Sequence, residues 1–133
     1  MRELAAAARE KGMEAVAEIA VKTNFPLDRP SGEEETAEVR KVVSRCDAEA
    51  YARTAEVIAS DDHIDPEYSK IKSPVVFVAG DGDIISPVQR SLDISELVGG
   101  PSRVIVVKSG HQMILQDLEG VQGAVDAFLK MTS

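Results

Sequence analysis

Two short apolar runs, Val75 to Ala79 and Val104 to Val107, constrain this chain more than any other feature. Neither alternates between apolar and polar residues, so each predicts a strand covered on both faces. Between them the pattern predicts one helix, Pro87 to about Val98, with Pro at its first turn and Ser86 as its cap. Gly99-Gly100-Pro101 ends that helix. A last helix is predicted from Asp117 to about Lys130, with Leu118, Val121, Val125, Phe128 and Leu129 on one face. Strand, helix, strand, helix is a parallel crossover unit, right-handed in ~98% of cases. The fold class is α/β.

The sequence before this unit reads as helical. Ala-rich Glu3 to Lys22 carries Leu4, Ala8, Ala15 and Ile19 at helical spacing. Gly12 weakens that helix by ~1 kcal/mol relative to Ala, which predicts a break or a junction of two helices there. Asn24 to Gly32 holds Pro26, Pro30 and Gly32 and is a loop. Ser31 or Gly32 caps a second helix, Glu33 to about Arg45, whose apolar face is Val39, Val42 and Val43. Asp47 caps a third, Ala48 to about Ala59. The segment from Asp61 to Ser73 is polar and irregular. The expected division is a helical region over 1–60 and an α/β segment over 61–133.

Charge and composition exclude several function classes. The formal net charge is −8 with no basic stripe, which argues against nucleic acid and anionic membrane as partners. Glu33-Glu34-Glu35 suits the positive end of a helix dipole. A single cysteine, Cys46, allows no intrachain disulfide. No apolar run approaches ~18 residues, and the charged N-terminus lacks a signal-peptide core. A cytoplasmic protein is the expectation.

Chemistry is expected beyond the carboxyl ends of the two strands, where open α/β sheets gather their functional groups. Asp83 follows the first strand in AGDGD, and His111 follows the second in KSGH. On position alone, His111 is either a proton-transfer group or an ordinary loop residue, and Asp83 either its partner or a turn former. A carboxylate that accepts from one imidazole nitrogen fixes the tautomer and supports the charge formed as the other nitrogen takes a proton. Asp81 and Ser109 read as structural loop residues. Asp61-Asp62-His63-Ile64-Asp65 groups oxygen and imidazole ligands, but its spacing matches no defined metal loop, so it reads as a connecting loop.

PVVFVAGDGDIISP and RVIVVKSGHQMILQDLEGVQGAVDAFL resemble the acid and histidine segments of α/β-hydrolase fold enzymes. REKGMEAVAEIAV and AEAYARTAEVIASDD resemble the helical lid of 3-oxoadipate enol-lactonase-like members. The resemblance covers nearly the whole chain and implies a C-terminal portion of that fold, a helical lid followed by the two parallel strands and their helices. By it Asp83 matches the triad acid and His111 the triad base, 28 positions apart. Leu118 stands where the family often has Pro. The resemblance implies a small-molecule ester or lactone substrate and no metal or organic cofactor.

The family's nucleophile lies in G-x-S-x-G, and no such stretch occurs among the nine glycines here. Gly100-Pro101-Ser102 has the first half, but Val104 replaces the second Gly. Cys46 has no flanking glycines and is not expected to replace the serine. Two readings follow. Either the chain is the truncated acid-and-base part of a hydrolase whose serine lies elsewhere, or it is a non-catalytic binding or interaction module derived from one. In both, the outer edge of the first strand lies open, to be covered by a missing N-terminal half, by a partner chain such as a second copy in a dimer, or by repacked lid helices.

Overall fold

The computed structural model describes residues 1–132. They divide into two compact units, one of Met1–Lys22 with Gly32–Asp65, the other of Thr23–Ser31 with the described residues from Pro66 onward.

The first unit is helical. It is built from α1 (Arg2–Asn24, whose last two residues belong to the second unit), α2 (Glu33–Ser44) and α3 (Ala48–Ile58). α1 is two helices joined at Gly12, where φ is 80° and ψ 174°. That left-handed value favours glycine, which has no Cβ to clash with the following carbonyl. The break predicted from sequence is therefore present. Asp47 caps α3 as expected, its carboxylate accepting from the Ala50 N–H at 2.8 Å. α2 starts after Gly32 without a side-chain cap, so its first-turn glutamates supply the charge complement at that end. The core is Ala5, Ala8, Met13, Val16, Ala52 and Ala55, all buried. Small side chains let helix axes approach closely. Val39 is buried, but Val42 is 55% exposed. Successive residues lie about 100° apart round a helix, so Val42 stands to one side of the line through Val39 and Val43.

The second unit holds the strands. β1 (Val75–Gly80) and β2 (Ser102–Val107) form a two-stranded parallel sheet in register from Val75 opposite Ser102 to Gly80 opposite Val107. α4 (Val88–Leu97) crosses between them, and α5 (Met113–Gln116) and α6 (Leu118–Thr132) follow. Helices α4 and α6 each contact both strands. The predicted parallel pair and crossover helix are thus present. The expected burial of both strand faces is not. Val75 to Val78 are half-exposed, and Val106 is 51% exposed. Each strand of a two-stranded sheet is an edge, so two helices cannot enclose it. Burial concentrates where the strands end, at Ala79, Gly80 and Val107. The predicted last helix is present as α6, with α5 a separate short turn before it, but of its expected apolar face Leu118, Val125 and Leu129 are each more than half exposed. None of the described helices is long and apolar enough to cross a membrane.

Candidate active site

Because Gly80 pairs with Val107, the loops after β1 and β2 leave the sheet at the same end. The first loop turns sharply, the Asp83 N–H donating back to the Gly80 carbonyl at 3.2 Å. The Asp83 side chain is 2% exposed. Its Oδ1 accepts from the Ile85 and Ser86 N–H groups at 2.8 and 2.9 Å, the local side-chain-to-backbone bonding for which aspartate is favoured in turns. This corrects one sequence expectation. The Ser86 side chain does not cap α4, whose first residue follows Pro87 without a side-chain cap. Ser86 instead gives its own N–H to Asp83.

Oδ1 is thus occupied twice by backbone, and Oδ2 faces His111, 2.9 Å from Nδ1. A carboxylate only accepts, so the hydrogen lies on Nδ1 and leaves Nε2 as the lone-pair nitrogen of the neutral ring. The His111 side chain is 39% exposed. Among the described residues nothing bonds to Nε2. The structure therefore brings together the two residues singled out from sequence, a buried, anchored carboxylate and a half-open imidazole whose Nδ1 faces it.

The histidine loop is held from several directions. The His111 N–H donates to the Asn24 carbonyl at 2.7 Å, and the Gly110 N–H donates to Gln116 Oε1 at 2.7 Å. The Ser109 N–H donates to Asp81 Oδ1 at 3.1 Å, and the same oxygen takes Arg29 Nη2 at 2.6 Å. The Asp81 carboxylate beside it pushes the Arg29 guanidinium up from its ordinary value. Gly110 is required by this closeness. A Cβ there would collide with the Asn24 carbonyl and meet Pro26 Cδ at 2.9 Å. Past the loop, Asp117 accepts from the Lys108 N–H at 2.8 Å and from the Gly120 N–H at 2.9 Å. These two bonds, Lys108 first, hold its carboxyl below the usual range, and they join the end of β2 to the start of α6.

The remaining candidates lie apart from this pair. Ser109 is fully buried, its hydroxyl donating to the Gly110 carbonyl at 3.1 Å, which fits a structural loop residue. Cys46 is exposed beyond α2, its thiol 3.6 Å from the Val42 carbonyl. His63 Nε2 and Asp65 Oδ1 are 3.6 Å apart in the helical unit. Among the described residues no group of three or more side chains is arranged to hold a metal ion. Asn24, Arg29 and Gln116 were not legible as site residues. Asn24 contributes only a backbone carbonyl, which any residue carries. Arg29 and Gln116 lie at no spacing that relates them to His111.

No family model matches the sequence, and neither does any curated protein. Solved structures do match in fold. The enol-lactonase of Burkholderia xenovorans aligns over 96% of this chain and 49% of its own, with a TM-score of 0.82 and 26% identity. An esterase from Thermogutta terrifontis aligns over 98% of this chain and 48% of its own, at 0.78 and 20%. An esterase from Exiguobacterium antarcticum aligns over 96% and 46%, at 0.81 and 18%. The chain spans about half the length of each.

Proposed function

We propose that this chain, which has the fold of the C-terminal half of an α/β-hydrolase, supplies the acid and the base of a Ser-His-Asp triad acting on a small-molecule ester or lactone. The observation that carries this reading is the 2.9 Å contact between His111 Nδ1 and the buried Asp83 carboxylate. In this reading the helical residues of the first unit serve as the lid, and the serine and the oxyanion donors come from a complementary half of the fold.

The chemistry follows from the tautomer. With Nδ1–H committed to Asp83, Nε2 takes the proton of a serine hydroxyl as its oxygen attacks the acyl carbon. Asp83 steadies the imidazolium that forms. Nε2 then returns the proton to the leaving alkoxide, and in the second half-reaction it takes one from the water that attacks the acyl-enzyme. Stabilisation of the tetrahedral oxyanion, a large share of the rate, requires backbone donors, which in this reading belong to the complementary half. Acid and base alone should give little.

An apolar groove of about 360 Å³, lined by Pro74, Val75, Val76, Val78, Val125 and Phe128 among others, runs along β1 and α6. We assign it as the surface on which the complementary half adds its strand.

The test is p-nitrophenyl acetate hydrolysis. The chain by itself should not exceed free imidazole. Joined to the N-terminal half of the Burkholderia enol-lactonase, it should turn over, and His111→Ala or Asp83→Asn should lower kcat roughly 10⁴-fold. Turnover in the joined protein that is indifferent to both substitutions would sink the assignment. One observation favours a second reading, a binding module without catalysis: no G-x-S-x-G lies in these 133 residues. Under it the joined protein is inactive, and the chain binds a small apolar ligand whether or not His111 is present.

A further inference from the structure

Three consecutive backbone amides, those of Ser109, Gly110 and His111, each donate to a group outside their own loop, two of them far away in sequence and one at the end of the short helix that follows. The acceptors are the Asp81 carboxylate at 3.1 Å, the Gln116 side-chain oxygen at 2.7 Å and the Asn24 carbonyl at 2.7 Å. Ser109 also donates to Val107 at 3.0 Å. The amides of Gly110 and His111 are outside the strand pairing and outside any helix. Two of the three acceptors are side chains, and neither is required by the strand ladder. Asp81 is itself fixed by Arg29, and Gln116 is the last residue of α5. We infer that Asp81 and Gln116 are positioning residues, which hold the loop so that the His111 ring meets Asp83 in one orientation.

The inference rests on the reading of His111 as the base. A catalytic group must be kept within about 0.5 Å and 10–20° of its working geometry, and a 1 Å error costs about 10²-fold in rate. The contact between Nδ1 and Asp83 fixes one end of the imidazole. It cannot fix the backbone that carries it, because two side-chain torsions lie between. A loop glycine immediately before the histidine makes that backbone soft. The bonds to Asp81 and Gln116 hold the amides of Ser109 and of Gly110 itself and so limit that softness, and the Asn24 carbonyl holds the amide that follows.

The experiment uses the whole chain, labelled with ¹⁵N, and reads two signals: backbone amide exchange and the ring N–H resonance of His111. His63, the only other histidine, serves as internal reference. Gln116→Met should speed exchange at Gly110 and His111 about fivefold, the factor set by a hydrogen bond of about 1 kcal/mol. It should also broaden the His111 Nδ1–H resonance, while the amides of α1 to α3 keep their rates. Gln116→Glu, which keeps an acceptor oxygen, should restore both signals. Asp81→Ala should act likewise at Ser109, and Asp81→Asn, which also keeps an acceptor, should act less. Unchanged loop exchange and an unchanged ring resonance in Gln116→Met and Asp81→Ala would overturn the inference. So would a uniform rise across all amides, which marks a purely structural role. If the ring N–H resonance is missing from the unsubstituted chain, or survives Asp83→Ala, the Asp83–His111 pairing itself fails, and the proposed function with it.

Discussion

Gly110 is a residue at which a single methyl group would disturb the candidate site. Its missing Cβ leaves room for the Asn24 carbonyl, which accepts from His111. Gly110→Ala should push that carbonyl away and destabilise the second unit by about 1–3 kcal/mol, the usual cost of overpacking a closed site. Urea unfolding would give the cost, and faster exchange of the His111 amide would locate it. A cost below about 0.5 kcal/mol with unchanged exchange would mean that the loop has slack the geometry does not suggest. At this scale the sequence was informative where a side chain acts and silent where a backbone acts. Asp83 and His111 were legible because a carboxylate and an imidazole beyond successive strands have a chemical reason to be there. Asn24 was not.

Among the elements, α3 offers a clean measure of local capping. Asp47→Ala removes the acceptor for the Ala50 N–H and should cost about 1 kcal/mol, read as a lower urea midpoint. Met13, 4% exposed in the helical core, should cost more. Met13→Ala leaves a cavity worth about 2–4 kcal/mol. Beside their shared apolar core, α1 and α3 are joined by ion pairs. Arg9 bonds Glu49 at 2.8 Å and also pairs with Glu56. Arg9 first, then Arg53, holds the Glu49 carboxyl down to about 2, and Glu56 is lowered by the same arginine. Both carboxylates titrate lower when folded than the ~4.3 of an unfolded glutamate. Their contribution is therefore complete above about pH 4.5 and is lost as pH falls toward 2. The urea midpoint should drop over that window, less so in 0.5 M salt because the pairs are exposed. Arg9→Met should flatten the drop, and an unchanged slope would discount the network. The sequence foretold the Asp47 cap of α3 and the break at Gly12, since a cap and a glycine act locally. It misjudged Ser86 and the coverage of the strands, since both depend on groups that arrive from elsewhere.

For the whole molecule the decisive feature is a sheet of two strands. A continuous apolar run predicted burial on both faces, and the run is there, but only the loop end of each strand is enclosed. Val75, Val76 and Val78 line a groove open to water. An unpaired strand beside apolar surface invites pairing with another chain. The chain alone should therefore associate with rising concentration in sedimentation velocity, and Val76→Lys should reduce the association. A monomer at high concentration would show that the edge is protected after all.

The double hold on Asp83 changes what its presence can tell. Its Oδ1 fixes the Ile85 and Ser86 amides ahead of α4, whatever its Oδ2 does with His111. A chain of this fold that performs no chemistry would still lose the turn's two backbone bonds without Asp83. Its survival among relatives would therefore be weak testimony to catalysis. His111 holds no second structural post through its ring, since Nε2 has no partner among the described residues. Under the proposed function, retention of the histidine would speak for activity, whereas retention of the aspartate speaks first for the turn.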